Sequence, residues 1–124
     1  MNTITKISLE EMLAYWKRTP SQFQEERVAV CTRLLTTEVP LDDQQLDNYF
    51  ELLLGPSGCD FREVDGKSTW TCAGGKDKTK STGILIDMGF LDSEIELFHE
   101  YVDVFGGHCD CEICFNAMPS MTDE

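Results

Sequence analysis

The dipeptide Asp65-Gly66 stands between two short runs, Cys59–Val64 and Lys67–Cys72. Asp-Gly is a strong signal for a two-residue hairpin loop, because both central residues of that turn need positive φ. Such a loop leaves the pairing no freedom. Val64 faces Lys67, Arg62 faces Thr69, Phe61 faces Trp70 and Cys59 faces Cys72. Counting outward from the turn, the 59/72 and 61/70 pairs fall at non-hydrogen-bonded positions on one face, where opposed side chains come closest. An unbulged ladder thus sets two thiols side by side next to an aromatic pair.

Punctuation elsewhere dictates short helices. Ser8-Leu9-Glu10-Glu11 has the form of a capping box, and Leu9, Met12, Leu13 and Trp16 recur at helical spacing after it. Pro20-Ser21 opens a second helix, whose stripe of Phe23, Val28, Cys31, Leu34 and Leu35 runs to about Thr36. A third starts at Asp42 or Asp43, places Leu46, Tyr49, Phe50, Leu53 and Leu54 on one side, and stops at Gly55-Pro56. Beyond the hairpin, Ala73–Lys80 reads as a mobile basic loop. It lacks the Gly-Lys-Ser/Thr step of a phosphate-binding loop, because Asp77 follows Lys76. Two more helices cover Ser81 to Met88 and the stretch from Asp92 or Ser93 to Gly106-Gly107, the latter with Ser93 and Glu96 at capping-box spacing and Ile95, Phe98, Val102 and Phe105 as its stripe.

These elements predict a small α+β domain, mostly helical, with one β-hairpin and room for a short third strand through residues 108–115. One domain is expected over residues 1–118, with N-terminal helices in 1–55 and the hairpin, two helices and a cysteine-rich segment in 56–118. Residues 119–124 read as a flexible tail. The 124-residue length suits a single core, and 41% hydrophobic with 27% charged residues argues against wholesale disorder.

No apolar run approaches the roughly 20 residues of a membrane span. The N-terminus lacks the basic patch and apolar core of a secretory signal, so the expectation is a cytoplasmic protein. All ten Lys and Arg lie at or before Lys80, leaving residues 81–124 with ten carboxylates and no basic side chain. That half repels phosphate backbones, which argues against nucleic-acid binding and leaves a basic protein as the natural partner.

Six cysteines in a reducing compartment point to thiols or metal bonds before disulfides. Cys31, on a helix stripe, reads as core. Three others crowd into Gly106-Gly107-His108-Cys109-Asp110-Cys111-Glu112-Ile113-Cys114. In an extended segment Cys109 and Cys111 share a side, and Cys111 with Cys114 makes the Cys-x-x-Cys step common in zinc knuckles. Backbone strain prevents one ion from taking all three thiols and His108 from so short a stretch. Two ligands from here and two from Cys59 and Cys72 is the comfortable solution. Candidate ligands are therefore Cys59, Cys72, Cys109, Cys111, Cys114 and His108. Asp110 and Glu112 disfavour a reactive thiolate but favour a cation, and the soft donors select zinc over magnesium or calcium. His99, inside a helix, reads as a surface or boundary residue.

Gly-Gly-His-Cys-Asp-Cys-Glu-Ile, with Asn116 beyond it, resembles the closing signature of a family of small uncharacterised bacterial proteins, a domain of unknown function. Cys59-Asp60 is similar to an earlier Cys-Asp step of that family, and Cys109, Asp110, Cys111 and Glu112 match its closing motif. The resemblance spans roughly residues 50–118. It implies a site of three cysteines and one histidine, the histidine following the Cys-Asp step. Phe61 stands there in this chain, and beside that family's pattern the Val64–Cys72 hairpin looks like an insertion. Either Cys72, His108 or Cys114 replaces the fourth donor, or the site has lost its metal.

Three functions stay open: an acidic interaction or regulatory protein with a structural zinc site, a thiol redox protein or sensor using Cys109, Cys111 and Cys114, and an acidic partner-binding protein with packed, metal-free cysteines. Nothing in the spacing supplies a serine–histidine–acid set or a nucleotide loop, so catalysis is not the expectation.

Overall fold

The computed structural model describes residues 1–72 and 74–122. Ala73, in the basic loop, and residues 123–124, at the end of the expected tail, lie outside them. The fold is the expected α+β class, a helical assembly with one two-stranded antiparallel hairpin.

Helix α1 covers Thr3–Lys17, and it starts five residues before the Ser8 capping box that the sequence suggested. Asn2 caps it instead, its side chain accepting the Thr5 N–H at 2.7 Å. Helix α2, Gln24–Leu34, is shorter than expected and keeps Cys31 and Leu34 buried, whereas Phe23 is half exposed. Helix α3, Asp43–Leu54, begins as read: Asp42 and Gln45 exchange both bonds of a capping box, at 2.8 and 2.9 Å. Its face of Leu46, Tyr49, Phe50 and Leu53 is buried.

Strands β1, Arg62–Val64, and β2, Lys67–Thr69, pair in the register the turn dictates, with Asp65 and Gly66 at φ 53° and 75°. Helix α4, Thr79–Asp87, and helix α5, Asp92–Val104, follow. Glu94, not Glu96, closes back on the start of α5, accepting the Leu91 N–H at 2.9 Å.

The third strand expected through residues 108–115 does not form. Helix α6 spans Asp110–Glu112 and passes directly into a wide π turn, Ile113–Ala117, and then helix α7, Met118–Met121. Pro119 supplies a reason for the wide turn. It has no N–H to give the Phe115 carbonyl, and a tight α-turn would drive its ring against that oxygen. Residues read as the start of a frayed tail are therefore helical, and Met121 is fully buried.

One cluster of buried side chains runs through all the long helices and into the C-terminal segment, with Leu9, Leu34, Leu53, Leu85, Phe98, Val102, Ile113 and Met121 among its fully buried members. Among the described residues no helix is long and apolar enough to cross a membrane.

Candidate metal centre

The hairpin keeps its predicted pairing only as far as Phe61 and Trp70, whose rings stack at 5.7 Å. Beyond them a regular ladder would pair Thr71 with Asp60. Instead the Thr71 N–H bonds to the Cys59 carbonyl at 2.7 Å, and Asp60 sits at φ 53°. Asp60 is thus an extra residue, a bulge in the left-handed region that aspartate tolerates better than most. The bulge brings Cys59 across from Thr71, so it no longer shares a face with Cys72. This corrects the expected Cys59–Cys72 pair.

Cys59 points into the core and is fully buried. There it meets the thiol of Cys114, itself 4% exposed. Burial pushes the Cys59 thiol up to about 11 and raises that of Cys114 further still. Cys114 lies within the wide turn and faces inward. Cys31 is buried in α2, as read.

Cys72 instead joins the C-terminal motif. The sulfurs of Cys72, Cys109 and Cys111 lie within 4.8 Å of one another, close enough to bind one metal ion. Cys109 and Cys111 approach to 3.4 Å, although not as neighbours on a strand. Cys109 is the extended residue that caps α6, at φ −136° and ψ 170°, while Cys111 is already helical. The bend at the helix start brings the two sulfurs together. Cys59, Cys114, His108 and the Glu112 carboxylate lie outside this trio. His108 is 40% exposed and turns its Nδ1 toward Asp103, 3.5 Å away.

The three thiols are electrostatically unequal. Burial raises the Cys72 thiol, but N–H groups of Cys111 and Gly74 and the neighbouring thiols outweigh it, so its pKa falls below the ordinary value. Burial pushes Cys109 up to about 12 and also raises Cys111. Of the three, the thiol most readily ionised therefore comes from the hairpin, not from the motif.

Asp110 and Glu112 divide the roles the sequence gave them jointly. Glu112 stays beside the thiols, its Oε1 accepting from Cys109 at 3.4 Å. Asp110 turns away and is 1% exposed. Its two oxygens accept the N–H groups of Lys80 and Ser81 at 3.2 and 2.9 Å, and Asp77 accepts that of Thr79 at 2.9 Å. Between them these carboxylates satisfy the first three donors of α4. The Asp110 N–H also bonds to the Asp77 carbonyl at 3.0 Å. The residue between the two cysteines therefore pins them to α4, and Lys80 ties α4 to the hairpin through Thr71 at 2.7 Å.

The rest of the motif braces the same corner. Gly106, at φ 88°, ends α5 in a conformation that favours glycine, and its carbonyl accepts the Asn116 side chain at 3.0 Å. Phe115 packs edge-on to both Phe61 and Trp70, with centroids 5.4 and 5.1 Å away. Hairpin and C-terminal segment are thus joined by rings as well as sulfurs.

Sequence reading missed a buried polar chain beside this corner. The Tyr49 hydroxyl meets Ser81 Oγ at 2.6 Å, and Ser81 Oγ meets His99 Nε2 at 2.8 Å. His99, half-buried on α5, is accordingly a boundary residue that partners the core. The i, i+18 separation of Ser81 and His99 carries no local pattern that would announce it.

No protein-family model matches the chain, and no curated protein or solved structure does either.

Proposed function

We propose that Cys72, Cys109 and Cys111 hold one zinc ion in a structural site that clasps the hairpin to the C-terminal helical segment, in an acidic interaction protein. One observation carries this reading: three sulfurs from two distant stretches of chain converge within 4.8 Å. Tetrahedral zinc with bonds of about 2.3 Å to sulfur sets its thiolates roughly 3.8 Å apart, a separation such a trio reaches with small side-chain adjustments. Three thiolates are soft donors, which favours zinc over hard cations. The ion also supplies the positive charge that two thiols with raised pKa values need before they ionise.

The wider role rests on charge. A net charge of −13, with every Lys and Arg at or before Lys80, favours a basic protein partner and disfavours nucleic acid. The resemblance of the closing motif to an uncharacterised bacterial family is compatible with this role and names no reaction.

A redox reading has one observation of its own, the 3.4 Å approach of Cys109 and Cys111. It requires a disulfide that forms and breaks at a physiological potential. Elemental analysis of reduced protein, purified without added metal, separates the two. A structural site returns about one zinc per chain, and less than roughly a tenth of an equivalent with all thiols free overturns it.

A further inference from the structure

Tetrahedral zinc takes four donors, and the trio supplies three. We infer that Glu112 is the fourth donor, its carboxylate closing a site of three sulfurs and one oxygen on the solvent side. The inference rests on the zinc reading above and specifies that same site.

Glu112 abuts the trio through Cys109, although its carboxylate lies beyond 4.8 Å from at least one of the other two sulfurs, a gap that rotation of its side chain must close when the ion binds. Its Oε1 lies 3.4 Å from Cys109 Sγ, and the S···O edge of a zinc tetrahedron with bonds of about 2.3 and 2.0 Å is roughly 3.5 Å. It stands two residues from Cys109's neighbour Asp110 on the same short helix, so the turn that presents Cys111 also presents Glu112. The competing donors are engaged elsewhere. Cys59 is fully buried against Cys114 on the far side of the Asp60 bulge. His108 faces Asp103, and Asp110 gives both oxygens to the backbone of α4. Glu112, in contrast, is partly exposed, and among the described residues its carboxylate accepts from Cys109 alone.

A carboxylate oxygen binds zinc less tenaciously than a fourth thiolate in a soft-donor set, so the site keeps one replaceable position. An incoming soft anion, such as a thiolate from a partner or from a small thiol, meets the ion there without disturbing the three sulfurs.

The test titrates cobalt(II), as a spectroscopic stand-in for zinc, into reduced wild-type chain and into the variants Glu112→Ala, Glu112→Cys and Cys59→Ser, each first checked for helical content by circular dichroism. Wild type is expected to give tetrahedral visible bands with the charge-transfer intensity of three thiolates. Glu112→Cys raises that intensity by about a third, as a fourth thiolate enters the site. Glu112→Ala weakens zinc binding roughly a hundredfold, the upper end of what loss of an outer hydrogen-bond partner gives, and also changes the visible envelope, which an outer partner would not. Cys59→Ser leaves both readouts as in wild type.

Two results overturn the assignment while sparing the zinc site: unchanged intensity in Glu112→Cys, or loss of one thiolate's intensity in Cys59→Ser. Absence of a tetrahedral spectrum from wild type overturns the zinc site itself and the fourth donor with it.

Discussion

Asp110 accepts the backbone N–H of Ser81 at 2.9 Å across 29 residues of chain, from a position that is 1% exposed. That bond and its companion to Lys80 make a residue of the cysteine motif the N-terminal cap of a different helix. Burial, first, and the charge of Asp77 raise its pKa, opposed by the two N–H groups and by Lys80. The carboxylate is kept there for its hydrogen bonds despite that cost. Asp110→Ala strands two buried donors and should destabilise the fold by about 2–3 kcal/mol, whereas Asp110→Asn, which keeps one good acceptor, should cost about half as much. Urea denaturation midpoints at neutral pH check both.

Thiol reactivity should follow the unequal environments of the six cysteines. In metal-free reduced protein at neutral pH, Cys72 is alkylated first, because hydrogen bonds to its sulfur outweigh burial and lower its pKa. Cys31, Cys59 and Cys114, all buried with raised pKa values, should react slowest. Zinc should slow Cys72, Cys109 and Cys111 together and leave the slow set unaffected. Peptide mapping by mass spectrometry over a time course reads all six, and a fastest site other than Cys72 would contradict the geometry.

His99 gives the stability a pH dependence of known sign. Burial, then the charge of Lys78, holds its folded pKa down at about 4, with Asp103 opposing. The unfolded residue titrates near 6.5. Between those values the unfolded chain takes up a proton that the folded chain refuses. Stability from this group is therefore complete above about pH 6.5 and falls as pH drops toward 4, by roughly 2 kcal/mol after allowance for its partial exposure. Asp110, whose folded pKa is raised, slopes the opposite way at lower pH, so the comparison must be with His99→Gln. That variant should flatten the loss between pH 6.5 and 4.5 in denaturant titrations.

Gly58 fixes where Cys59 enters the core. A Cβ there would lie 2.1 Å from the Leu53 carbonyl oxygen, a backbone atom with no room to move. The Cys59 N–H bonds to that same carbonyl at 2.7 Å. Gly58→Ala should thus cost more than about 2 kcal/mol and disturb the hairpin base, a penalty of the overpacking kind. Gly66→Ala is a useful contrast, since nothing lies within 4 Å of its Cβ position and only its positive φ resists, at about 1 kcal/mol. Thermal melts of the pair should rank them in that order.

Where local chemistry decides the structure, the sequence was a good guide. Asp65-Gly66 set the hairpin and its register, Asp42 with Gln45 set the start of α3, and the helix stripes of α3 and α5 marked the core. Legibility ended where a distant partner decides. Nothing near Asp110 announces that it caps α4, and alternation through Cys109 and Cys111 suggested a strand where the chain turns into a helix. Asn2 is a residue type that favours the N-cap, so the true start of α1 was legible, whereas Pro119, inside an uninterrupted helical run, argued against the helical tail. For the site, the reading reached the three sulfurs among six candidate donors but paired Cys72 with the wrong cysteine, because a regular ladder cannot foresee the extra residue at Asp60.

That extra residue makes the hairpin a sorting device. An ordinary strand has two destinations for its side chains, and every second one shares the same fate. By adding one left-handed step, Asp60 reverses the parity of all that precedes it, so the fate of Cys59 depends on how many residues separate it from the turn rather than on being cysteine. Thiol chemistry in this fold is in that sense written in chain length. Two chains with the same six cysteines, one lacking the bulge, would present different numbers of sulfurs at their surface, and comparing their motifs alone would not reveal it.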